Sequence, residues 1–179
     1  MPIKTFVDRA RDPRTARPPL ADEHTTLTAF LRWQRQTLEL KCSGLDAEQL
    51  AHRPVGTSAL SLLGLMRHLA DAERFWFRRV MSGTEAPPLF ETPSDPDGGF
   101  NGVAADPSLV AQAWDAWRAE VAFADRFIAS TPDLDTTGHE PGEGPISLRW
   151  VLMHLLEEYA RHNGHADLLR EQIDGAVGQ

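Results

Sequence analysis

The sequence predicts an all-α protein, and three observations carry that expectation. Apolar residues recur at helical spacing in four long segments, turn-forming residues fall between those segments, and strand-like alternation is sustained nowhere. A chain of 179 residues, 41% of them hydrophobic, can bury one core and is short for two ordinary domains. Four apolar stripes of similar length bury one another most simply as a four-helix bundle, expected over residues 20–179 behind a flexible arm over 1–19.

The first segment, 21–43, ends at Gly44, a residue suited to the left-handed turn that closes a helix. After it, "LDAEQLAHRPVGT" reads as a loop with room for one short turn. The second segment, 58–82, has Ser58 as its cap candidate and stops at "SG". The third, 107–130, opens with Asp106 as cap and Pro107 in the first helical position. The fourth, 146–174, follows the Gly/Pro-rich "GHEPGEGPIS" with Ser147 as cap. Gly164 interrupts its pattern, yet "ADLLREQI" restores it, so the helix is expected to continue, with Gly164 admitting a close neighbour. The connection 83–105 is long enough to have a task of its own, and Phe90 and Phe100 could fold it over one end of the bundle.

Composition excludes several function classes. Eighteen basic against twenty-six acidic residues give a formal net charge of −8, which disfavours nucleic acid. The basic cluster "DRARDPRTARPP" is interleaved with proline and aspartate and reads as the arm. No apolar run approaches the roughly 20 residues of a membrane span, and the expected setting is the cytoplasm. Cys42 stands alone, so neither an internal disulfide nor a cysteine-based zinc site can form. H-E-x-x-H, G-x-G-x-x-G, P-loop and G-x-S-x-G patterns are absent. No histidine has a glutamate three residues before it, which removes the ferritin-like di-metal bundles. "DPDGGF" lacks the offsets of a calcium-binding loop and reads as a turn.

The chemistry concentrates in "HLLEEYARHNGH". Residues four apart on a helix differ by about 40°, so His154, Glu158 and His162 climb one face, with His165 on the same arc among Val151, Leu155 and Leu169. Glu157, Arg161, Asp167 and Glu171 fall on the other side. A carboxylate at a core edge must be paired, hold a metal or be neutral, so Glu158 either meets an arginine from another helix or serves as a ligand. On the second helix His68 shares its arc with Leu65, Leu69, Ala72 and Trp76. A bundle can set it opposite Glu158 and His162, giving a His₂Glu set that leaves a divalent metal open positions. His154 or His165 could add a fourth ligand, against roles in support or packing, which are favoured. His24, His52 and His139 read as solvated.

"LLGLMRHLADAERFWF" and, further on, "LRWVLMHLLEEYARHNGHADLLREQIDG" together resemble the DinB-like superfamily of metal-binding four-helix bundles over residues 20–175, closest to an actinobacterial branch related to mycothiol-dependent enzymes. The resemblance implies an up-down-down-up bundle with a divalent metal, zinc or else nickel, on His68, Glu158 and His162. Many members carry three histidines. The carboxylate at Glu158 is similar to the mycothiol-dependent maleylpyruvate isomerases. The implied activity is a metal-dependent thiol S-transferase or thiol-cofactor isomerase, in which the metal holds mycothiol or another low-molecular-weight thiol as a thiolate beside an electrophilic small molecule. Two alternatives stay open: a hydrolase using metal-bound water, and a non-catalytic metal-binding or small-molecule-binding bundle. A homodimer through spare apolar surface is compatible with either.

Overall fold

A computed structural model describes residues 4, 5, 7 and 11–178. Strand β1 (Lys4–Thr5) precedes α1 (Glu23–Cys42), the short α2 (Ala47–Ala51) and α3 (Leu62–Glu73), which runs on as a π-helical segment, Arg74–Met81. Then come α4 (Gly98–Asn101), α5 (Pro107–Ser130), β2 (Thr137–Glu140), β3 (Gly144–Ser147), α6 (Leu148–Asp174) and β4 (Ala176–Val177). The protein is mostly helical. Helix α1 packs chiefly on α6, and α3 chiefly on α5, while α3 also lies against α6. No helix among the described residues is long and apolar enough to cross a membrane.

The helix starts follow local chemistry. Asp22, Asp46, Asp106 and Ser147 each accept a hydrogen bond from a backbone N–H of the first turn they precede. The second long helix begins later than expected. Its cap is Ser61, whose hydroxyl accepts from the Gly64 N–H, and Ser58 lies outside the helix in a turn. From Arg74 onward the turns widen, a change that a 3.6-residue apolar pattern cannot register. Arg74 and Arg78 both reach Glu120 of α5 there, at 2.8 and 2.5 Å.

The four strands among the described residues, none longer than four residues, are too short to show as alternation. Strands β2 and β3 form an antiparallel hairpin from the Gly/Pro-rich connector, and β1 pairs in parallel with β4. Part of the arm expected over residues 1–19 lies outside the described residues. Of its described portion, Lys4–Thr5 pairs with β4, and residues 14–17 rest on α1. The Arg14 guanidinium sits 4.1 Å from the Trp33 ring centre and Arg17 stands at the same distance, and the Thr15 N–H donates to Gln36.

Across the centre of the helices runs a buried polar chain. Arg35 of α1 grips Glu73 of α3 through two 2.6 Å hydrogen bonds, with side chains 4% and 0% exposed. Tyr159 of α6 donates to the same carboxylate at 2.8 Å, and Trp117 of α5 donates to the Tyr159 hydroxyl at 2.9 Å. All four long helices therefore share one network, inside a shell that includes Leu31, Leu38, Leu69, Phe77, Val151 and Leu155.

Candidate metal centre

One and two turns C-terminal to His154 on α6, Glu158 and His162 face α3, where His68 faces back. The Glu158 Oε2 atom lies 3.3 Å from His162 Nε2 and 3.7 Å from His68 Nε2. Potential donor atoms of the three residues all fall within 4.8 Å of one another. Donors bound tetrahedrally at about 2.0–2.2 Å are separated by roughly 3.3–3.6 Å. One of the three edges matches that figure and a second, at 3.7 Å, lies just above it, so the donor set fits a small divalent cation with little rearrangement.

The protonation states suit ligands. Burial, reinforced by the nearby His68, pushes the His162 imidazole down to about 4. Burial lowers His68 as well, against the opposing pull of Glu158. Both rings are then neutral near pH 7, with lone pairs to offer.

Glu158 and His162 are held from behind. Arg161 donates to Glu158 Oε1 at 2.6 Å and to Glu157 at 2.5 Å, which leaves Oε2 turned to the histidines. Arg161 belongs to the same helix, so the arginine partner expected from another helix comes from one turn away. The His162 Nδ1 atom lies 3.3 Å from His165 Nδ1, placing His165 behind His162. His154 is elsewhere: its ring stacks on Trp150 and meets Trp76 edge-on, with centres 4.9 Å apart in both cases. His52 and His139 are exposed, whereas His24 is half-buried with Nε2 shut away from solvent and unbonded, contrary to its expected solvation.

The connection 83–105 packs over this site. Asp71 of α3 accepts the backbone N–H groups of Leu89 and Phe90 at 2.6 and 3.0 Å. Arg67 donates to the carbonyls of Gly98 and Gly102, and Arg53 to that of Phe100. A side chain at Gly98 would begin 2.2 Å from the Phe90 carbonyl oxygen, so glycine permits this close crossing. The Phe100 ring then stacks against His68, centres 5.2 Å apart. Glu91, Asp71 and His68 line a cavity of about 180 Å³ together with Phe75, Arg79 and Pro88. Sequence reasoning missed Asp71, Glu91 and Arg67, because their partners are backbone groups and side chains far away along the chain.

Gly164 departs from expectation. The helix does continue through it, but a Cβ there would meet nothing within 4 Å, so no close neighbour requires glycine. Cys42 is buried at the end of α1, and burial pushes its thiol up to about 12, keeping it protonated.

A family model described as mycothiol-S-transferase matches residues 26–175. The chain belongs to this DinB-like family. Within the mycothiol-S-transferase match fall His68, Glu158, His162 and the whole connection above them. A crystal structure of a conserved protein from Enterococcus faecalis is similar in fold, with a TM-score of 0.59 and 14% identity. The likeness covers 87% of this chain and 99% of that one. No curated protein matches.

Proposed function

We propose that this mycothiol-S-transferase family member is a cytoplasmic, metal-dependent thiol S-transferase that joins a low-molecular-weight thiol, mycothiol in the first instance, to a small electrophile. The single observation carrying the proposal is the convergence of His68, Glu158 and His162 within 4.8 Å, with both imidazoles held neutral. The family match supports the thiol, and the packing of α1 on α6 and of α3 on α5 is compatible with an up-down-down-up arrangement of the four long helices.

A divalent metal on these three residues, zinc by their donor chemistry, would supply the Lewis acidity that keeps a thiol deprotonated near neutral pH. The protein's part is placement. His68, Glu158 and His162 would hold the metal and leave its remaining positions for exogenous groups. Arg161 fixes the orientation of Glu158, and His165 that of His162. The cavity of about 180 Å³ beside His68, whose lining includes the apolar Phe75, Ala72 and Pro88, would give an electrophile a place near the metal site. Cys42, buried and protonated, takes no part.

The test is elemental analysis of the wild type, His68→Ala and His162→Ala after zinc is offered, with circular dichroism as the folding control and mycothiol conjugation as the activity. Near-stoichiometric zinc in the wild type alone, with metal-dependent conjugation, is the expected result. A folded wild type that takes up no metal would overturn the proposal. Metal-dependent turnover of an ester panel without thiol, and no conjugation, would replace it with hydrolysis.

A further inference from the structure

We infer that Glu91 and Asp71 form a support for His68: Glu91 fixes the tautomer and basicity of His68 from behind, and Asp71 is the positioning residue that delivers Glu91. The inference rests on the metal reading above and adds two residues to it.

The argument begins with the ring itself. His68 Nε2 is directed at Glu158 Oε2, 3.7 Å away, inside the donor cluster. For Nε2 to offer a lone pair, the single proton of a neutral imidazole must sit on Nδ1. Nδ1 faces Glu91 Oε1 at 3.9 Å. That gap is too long for a direct hydrogen bond, and an inward shift of the connection by about 1 Å would close it. A carboxylate accepting from the far nitrogen locks the tautomer, orients the ring and makes the metal-facing nitrogen more basic. The ring's flank is fixed separately, by Phe100.

Glu91 stands on an irregular stretch of chain, and its position is imposed from α3. Asp71, 6% exposed, uses both carboxylate oxygens on consecutive backbone N–H groups, those of Leu89 and Phe90. The next residue is Glu91. A charge-assisted pair of backbone hydrogen bonds of 2.6 and 3.0 Å therefore sets the start of the side chain that reaches His68. Asp71 and His68 also lie one helical turn apart, so the ligand and the residue that aligns its support are carried by the same rigid element. Electrostatics points the same way. Burial first, and then the like charges of Asp71 and Asp97, disfavour the charge on Glu91, and no described Lys or Arg pairs with it. A divalent ion beyond His68 would offset that repulsion.

The experiment is a thermodynamic cycle on zinc affinity, measured by competition with a chromophoric chelator on the full chain. It compares the wild type, Glu91→Gln, Asp71→Asn and the double variant, with thermal unfolding of each metal-free protein alongside. Glu91→Gln is expected to weaken zinc binding about 10–100-fold with little change in metal-free stability, since Glu91 is half-exposed and 3.9 Å from His68, beyond direct hydrogen-bond reach. Asp71→Asn should weaken it by about tenfold or more. The double variant should bind no more weakly than Glu91→Gln alone, because Asp71 acts through Glu91.

Zinc affinity of Glu91→Gln within about twofold of the wild type would overturn the inference while leaving the metal site standing. Multiplying effects in the double variant would overturn the positioning role of Asp71. A wild type that binds no zinc removes the metal reading and this inference with it. If Asp71→Asn does not fold, Glu91→Gln alone decides, since that variant leaves every α3 hydrogen bond in place.

Discussion

Replacing Glu73 by glutamine should be the most damaging single-atom-scale change in the molecule. The substitution keeps the shape of the side chain and removes its charge. Arg35, completely enclosed apart from its link to the half-exposed Asp125, would lose a bidentate partner at 2.6 Å, and the Tyr159 hydroxyl would lose a charged acceptor at 2.8 Å. Breaking a buried ion pair from one side costs about 3–5 kcal/mol, because the remaining charge stays in a low-dielectric interior. The lower end applies here, since the amide oxygen still accepts one hydrogen bond and Asp125 still holds Arg35. Unfolding entropy of about 2.1 cal/mol/K per residue gives about 0.38 kcal/mol/K for 179 residues. A loss of about 3 kcal/mol therefore lowers Tm by roughly 8 °C. Thermal and urea unfolding followed by circular dichroism measure it directly. A drop under about 2 °C would refute the reasoning, showing that water or relaxation compensates Arg35. The paired change Glu73→Leu with Arg35→Met should recover part of the loss, because it leaves no stranded buried charge, while the buried Tyr159 hydroxyl still loses its acceptor.

Two other changes test the fold from opposite directions. Gly164→Ala should stabilise the protein by about 1 kcal/mol, seen as a Tm rise of a few degrees, because the added methyl meets open space on a helix; a fall in Tm would show a hidden neighbour. Asp174 carries a pH signature. Burial alone would raise its carboxyl, but hydrogen bonds from Arg170, Lys4 and the Ala176 N–H outweigh burial and hold it down to about 2. Its unfolded value is about 3.9, so its contribution is fully present above about pH 4 and lost as pH falls toward 2. After allowance for solvent screening, that contribution is about 1 kcal/mol. Asp174→Asn should lower stability at pH 7 by that amount and flatten this part of the acid profile; an unchanged profile would refute the assignment.

The sequence by itself determined the helical class, the extents of the first, third and fourth long helices to within about two residues, and which histidines share an arc with Glu158. These properties are local. Apolar periodicity, cap residues and 100° per residue are written into short windows of chain, and nothing distant is needed to read them. The boundary at Ser58 failed because two serines compete as caps, and only the hydrogen bond to Gly64 selects Ser61. The role given to Gly164 failed because glycine in a helix signals a neighbour only when one is present.

What the tertiary structure decided is everything that joins distant segments. It set His68 against Glu158 across α3 and α6, turned Arg161 back onto Glu158, and sent His154 to the tryptophans and His165 behind His162. It also drew Arg35, Glu73, Trp117 and Tyr159 into one network, and folded the connection so that Glu91 faces the far side of His68. Each arrangement depends on the rotation and register of helices against one another. Those are fixed by the whole packed core at once, and no window of sequence contains them.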